Sequence, residues 1–257
     1  MSCVLGVIRY EYVMAIRRWG VWLAFAVAGA GFLSSMSGDT LSHLAYGESS
    51  LGALAVAGLA AWTMNTLPPV VGGIAMADRL ARDRRLGVEE LLRSTSLSRR
   101  GYILGKYVGV VLATLTPVLV MSLLHTGLAL AVGAPVELIG ASLLAFLGIN
   151  VPAYLFVGAF ALACPAIMPV RAFQVLFTGY WIWGNFITPK VMPTLSHTLL
   201  TPSGRYVRDA FFGGAATPMG EVRAPIEAVA NLVVLAACAA VALLALDRYL
   251  AWRAERA

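Results

Sequence analysis

The stretch GYILGKY, residues 101–107, holds the only Gly-Lys pair in the chain, and such a pair raises the question of nucleotide phosphates. A phosphate-cradling loop places four residues between its glycines, follows Lys with Ser or Thr, and connects a strand to a helix. Here three residues separate the glycines, Tyr107 follows Lys106, and the stretch opens a long apolar run. The match fails on spacing and on context. There is no H-E-x-x-H, no G-x-S-x-G, and no cluster of His, Cys and carboxylates at ligand spacing. The sequence therefore predicts no catalytic residue, no metal site and no enzyme. Cys3, Cys164 and Cys238 offer no paired framework and read as small apolar fillers.

What remains are polar residues inside apolar runs. Asn65 and Thr66 stand just before Pro68-Pro69, and GYWIWGNFITP carries Tyr180, Trp181, Trp183, Asn185 and Phe186. His125 is the one titratable group deep in a run. Such side chains either meet a passenger or hydrogen-bond a neighbouring helix, the second contributing ~0.6 kcal/mol on average. Asn150 and Gln174 pose the same choice.

The runs themselves set the class. Of 257 residues, 60% are hydrophobic and 12% charged, where a soluble domain carries about 25% charged. A helix crossing hydrocarbon needs ~20 predominantly apolar residues. Six stretches qualify, at about 21–37, 52–77, 107–133, 139–168, 172–188 and 226–246. They lack the alternation of barrel strands. The fold class expected is all-α: one polytopic membrane domain over 1–257, with six transmembrane helices. The first run, after Arg17-Arg18, reads as a retained span rather than a cleaved signal, because sixteen helix-like residues, 2–17, precede Arg18. Those residues predict an interfacial helix over 3–19. Pro68-Pro69 predicts a kink in the second span.

Charge gives the orientation. With six spans, one side holds 15 of the 19 Lys and Arg residues, eight of them between Arg79 and Lys106. By the positive-inside rule both termini lie in the cytoplasm, in the cell (inner or plasma) membrane. The net charge of +6 then concerns membrane lipid headgroups and topology, not nucleic acid. The outer side has one extended segment, 189–224, apolar enough for one or two short helices on the membrane surface. The spans contain no Asp, Glu, Lys or Arg except Glu227 at an edge. An ion-coupled carrier usually needs an intramembrane charge or a broken-helix ion site, so energy is expected to come from outside the bilayer.

The polar island between the second and third spans, 78–106, reads ADRLARDRRLGVEELLRSTSLSRRGYILGK from Ala77. After Gly87, Val88, Leu91 and Leu92 share a helical face while Glu90 and Arg93 point away. VEELLR makes about two turns, too short to stand alone. Ser98 is a suitable N-cap for the following helix. The pattern fits a solvated loop that fixes topology, and equally a docking helix.

The island closely resembles the cytoplasmic loop of the six-span permease subunits of ATP-binding-cassette (ABC) exporters, in the type-two export permease family. That pattern runs acidic-Arg-x-x-Gly-x-x-Glu-x-Leu-Leu, then Ser/Thr-Pro-Leu-Ser-Arg, then Gly-Lys. Asp83, Arg84, Gly87, Glu90, Leu91, Leu92, Thr95, Leu97, Ser98, Arg99, Gly105 and Lys106 fit it, and Ser96 stands where Pro is usual. The resemblance implies a type V exporter-like fold and a coupling helix at the island, with Arg84, Gly87, Val88, Glu89, Glu90, Leu91, Leu92 and Arg93 docking the ATPase. It implies two copies of an ATP-binding subunit that hold ATP and magnesium, none of it bound by this chain. It also implies a second permease, as homodimer or heterodimer. In that family the second and fifth spans line the path, which makes Asn65, Thr66, Trp183 and Asn185 the candidates for substrate contact. The alternative is a stand-alone ion-coupled carrier or a membrane scaffold.

Overall fold

The computed structural model describes residues 2–35, 52–87, 97–217 and 219–256. Every regular element among them is helical. Three are long and apolar enough to cross a membrane: α6 (Arg99–Ala131), the broken rod Glu137–Ala166, and α11 (Pro225–Ala254). Two bent pairs raise the number to five if each is one span. Six expected crossings therefore become three to five. The expected fifth span is α9 (Val170–Phe186), whose 17 residues leave it at the short limit for a crossing.

The first bent pair is α1 (Ser2–Ile16) and α2 (Trp19–Ser35), turning by 65° at Arg17-Arg18. The Trp22 indole donates to the Ile16 carbonyl at 2.8 Å, satisfying an acceptor that the end of α1 leaves open. The second pair is α3 (Ala53–Thr63) and α4 (Pro68–Ala77), bent by 42° where the two prolines predict it. The bend frees backbone acceptors, and local donors meet them. Thr66 Oγ1 donates to Thr63 O at 2.7 Å, and Trp181 Nε1 donates to Thr66 O at 2.8 Å.

A short helix, α5 (Arg79–Arg85), continues the chain to Gly87. Gly87 has φ +67°, the left-handed conformation that stops a helix and that a Cβ disfavours. Residues 88–96 lie outside the described residues, and with them most of the expected coupling helix. Ser98 caps α6 as its position predicts, accepting from Gly101 N at 3.1 Å.

The broken rod comprises α7 (Glu137–Ala145), a π-turn at Phe146–Asn150, α8 (Val151–Ala163) and a last 3₁₀ turn at Cys164–Ala166. It is central: α8 packs on α4, α6 and α11, while α7 packs on α3. The main core gathers Tyr154, Phe156, Val157, Phe177 and Trp181 around it. Pro152 lacks the N–H that a regular helix would use, and the chain widens into the π-turn just before it.

Among the described residues the segment 189–224 holds one short helix, α10 (Arg205–Phe211), and a 3₁₀ turn, Gly214–Ala216. Tyr206, Val207 and Phe212 are buried in a second core with Val56, Ile149 and Ala228. The segment is a packed cap over one end of the helices. At the other end Arg99, which starts α6, meets Asp247 near the end of α11 at 2.7 Å. That basic face also gathers α1 and α5.

Candidate functional site

The Gly-Lys pair that fails as a phosphate loop has a different job. Gly101, Gly105 and Gly109 recur every four residues on α6, forming one stripe that admits another backbone closely. The helix admitted is α1. A Cβ at Gly109 would lie 2.7 Å from Ile8 O, and one at Gly105 would lie 3.0 Å from Val7 Cβ. No side chain larger than hydrogen fits at Gly109 without moving α1.

Close approach brings a charge from α1 to the base of the island. Lys106, 2% exposed, binds both Glu11 of α1 and Asp83 of α5, the latter at 2.6 Å. Tyr102 donates to Asp83 as well. Arg79 Nη1 stands 3.8 Å from Glu11 Oε2, and both side chains are almost wholly buried. Arg18 and Asp78 add an outer pair at 3.7 Å. Two cations and two carboxylates thus neutralise one another where water is scarce, which makes the group costly to break singly. Beside it lies a cavity of about 390 Å³, lined by Val7, Tyr10, Met14, Leu86 and Leu97 with Glu11 and Asp83 on its wall.

This arrangement does something definite to the island. Asp83 precedes residues 88–96, Lys106 follows them, and one ion pair joins the two flanks directly. The same ion pairs tie α5 and α6 to α1 through Glu11. Of the docking residues expected from sequence, Gly87 ends α5, and Arg84 belongs to α5 by its backbone. Val88, Glu89, Glu90, Leu91, Leu92 and Arg93 lie outside the described residues.

The four expected path residues separate. Asn65 is fully buried; its Nδ2 donates to Ile149 O and Ser203 O, both at 3.2 Å, and its Oδ1 accepts from Asn150 Nδ2 at 2.8 Å. Asn185 is 4% exposed, donating to Trp181 O at 2.9 Å and accepting from Thr201 Oγ1 at 2.7 Å. Asn231 of α11 donates to Leu199 O and Thr201 O. These amides form a polar buckle that ties the bend of α3–α4, the π-turn and the ends of α9 and α11 to the cap. Thr66 is half-buried and bonded within the bend. Trp183 alone is 36% exposed, on α9. His125 is buried in α6.

The cap carries its own charges. Arg208, fully buried, lies with its guanidinium 4.3 Å from the centre of the Trp62 ring and 2.6 Å from Asp209. Burial draws its pKa below the usual value, with Asp209 opposing that shift.

Sequence reasoning missed Glu11, Arg79 and Asn231. The four-residue glycine spacing and the lone carboxylate in an apolar leader were the available signals. Comparison with family models, with curated proteins and with solved structures finds no match to this chain.

Proposed function

We propose that this chain is the membrane permease subunit of an ABC exporter, working with a separate ATP-binding subunit. The observation that carries the reading is the ion-paired junction of Asp83 and Lys106 with Glu11. It turns the two flanks of the resembling loop into one buried seat. A helix at 88–93, pushed by a partner that closes on ATP, would deliver its displacement through that seat to α1 and α6. A soft loop would dissipate the same push.

The absence of charge from the middle of the apolar runs fits the same reading, since energy then enters from the basic face. On this proposal that face is cytoplasmic in the cell membrane, α9 completes a sixth crossing, and two permeases pair around the path. The ATPase subunits, in two copies, hold ATP and magnesium. Trp183 and Thr66 are then the path residues with surface to offer a passenger, while Asn65 and Asn185 brace the wall behind them.

The test is purification of the tagged chain from its native membrane in mild detergent, with mass spectrometry of whatever accompanies it in fixed ratio. The expected result is an ATP-binding subunit at about one per permease, lost with Leu91→Arg while the chain stays folded. A chain that purifies alone overturns the reading, and a partner retained with Leu91→Arg overturns the docking role of the island.

A further inference from the structure

Between α8, α9 and α11 runs an apolar cavity of about 380 Å³, lined by Phe160, Phe177 and Cys238 among others, with Leu195 and Leu200 of the cap in its wall. Those two leucines belong to an irregular strap, residues 195–200, with His197 between them. The strap has few regular backbone bonds of its own: Thr198 N donates to Leu195 O at 2.9 Å and Thr201 N to Thr198 O at 3.2 Å. What fixes its middle to α10 is His197. Tyr206 donates its hydroxyl proton to the His197 carbonyl at 2.7 Å, and Arg205 Nη1 reaches His197 Nε2 at 3.1 Å.

The second contact selects one tautomer of the neutral ring. A guanidinium has only donors, so Nε2 must present its lone pair. The proton of the neutral ring then sits on Nδ1, which faces Glu221 Oε1 at 3.4 Å. Arg205 Nη2 also reaches Glu221 Oε1 at 3.4 Å, so the three side chains close a ring of donors and acceptors. A second proton on His197 would place N–H against N–H at Arg205 and add a cation to a cluster that already holds Arg205 and Arg223. Asp209 and Glu221 are the carboxylates that face it, each already shared with those arginines.

We propose that His197 is a proton-operated latch, holding the strap 195–200 against α10 when neutral and releasing it, with the two leucines it places in the cavity wall, when protonated. The inference does not depend on the source of energy for transport, and it goes beyond the permease reading by giving the cap a regulated state. The direction of the linkage agrees. Desolvation holds the His197 imidazole below its ordinary value, Arg205 adds to this, and Glu221 opposes it. The released strap therefore binds protons more readily than the latched one. The latch is fully stable above the ~6.5 of a free imidazole, and loses stability as pH falls through that value toward the lowered one.

The experiment is hydrogen–deuterium exchange of the full chain in lipid nanodiscs at about pH 8 and about pH 5.5, either side of a free imidazole, with labelling times scaled to the intrinsic rates. The expected result is a several-fold fall in protection at the amides of Thr198 and Thr201 at the lower pH, with α8 and α11 unchanged. His197→Gln, which keeps an acceptor for Arg205, should hold its protection at both values. Unchanged protection in the native chain overturns the latch without need of any variant. An equal acid loss in His197→Gln overturns it too, by assigning the effect to another group.

Discussion

Replacing Lys106 with Met tests the buried seat directly. The substitution keeps the length of the side chain and removes its charge, so packing against the glycine stripe survives. It leaves Glu11 and Asp83 facing the same apolar volume, with Arg79 3.8 Å from Glu11 and Tyr102 still donating to Asp83. Removing one member of a buried ionic group typically costs ~3–5 kcal/mol, because its partners remain buried and uncompensated. For a chain of this size each kcal/mol moves the midpoint by ~2–4 °C, so a fall of roughly 6–20 °C is expected. Glu11→Gln should cost a comparable amount, since Lys106 retains Asp83 at 2.6 Å but the buried Arg79 loses its carboxylate. The assay is thermal denaturation of the detergent-solubilised chain, followed by the fraction that remains monodisperse in size exclusion. A Lys106→Met midpoint within ~2 °C of the native chain, less than one kcal/mol on that scale, would refute the reasoning. So would a Glu11→Gln midpoint within ~2 °C of the native chain.

Two further substitutions follow from the same physics. Gly109→Val drives a side chain into the Ile8 carbonyl and should cost ~1–3 kcal/mol, the usual range for overpacking. Gly127→Ala, on the same helix with nothing within 4 Å of the added methyl, should leave the melting midpoint unchanged or raised. Equal effects of the two would remove the glycine stripe as the cause. Asn150→Leu deletes the bonds to Ala61 O and Asn65 Oδ1; at ~0.6 kcal/mol each, with a ceiling near 1.7, the expected loss is about 1–2 kcal/mol in a denaturant titration. A neutral result would show that the polar buckle contributes no stability.

The elements were largely legible because they are dictated locally. Pro68-Pro69 bends a helix wherever it stands, and Ser98 offers its oxygen to the next turn. Of the six expected crossings, three among the described residues are long enough alone and two more are bent pairs, while α9, at 17 residues, is the short one. Asn65 illustrates the other limit. Its polarity beside a kink was readable, but the atoms that satisfy it come from Ile149, Asn150 and Ser203, 84 to 138 residues away. No local pattern carries that distance.

The sequence by itself determined the solvent, the helical class and the asymmetry of charge, because hydropathy and charge act residue by residue along the chain. It also contained the stripe of Gly101, Gly105 and Gly109, without saying which helix would lie in it. Only the tertiary structure decided that α1 occupies the stripe, and hence that Glu11 reaches Lys106. It likewise decided that the segment 189–224 packs on the helices as a cap and buries Arg208. Such outcomes depend on shape fit and on pairing buried charges between segments far apart in the chain. A carboxylate can be neutralised only by the cation that the fold delivers to it.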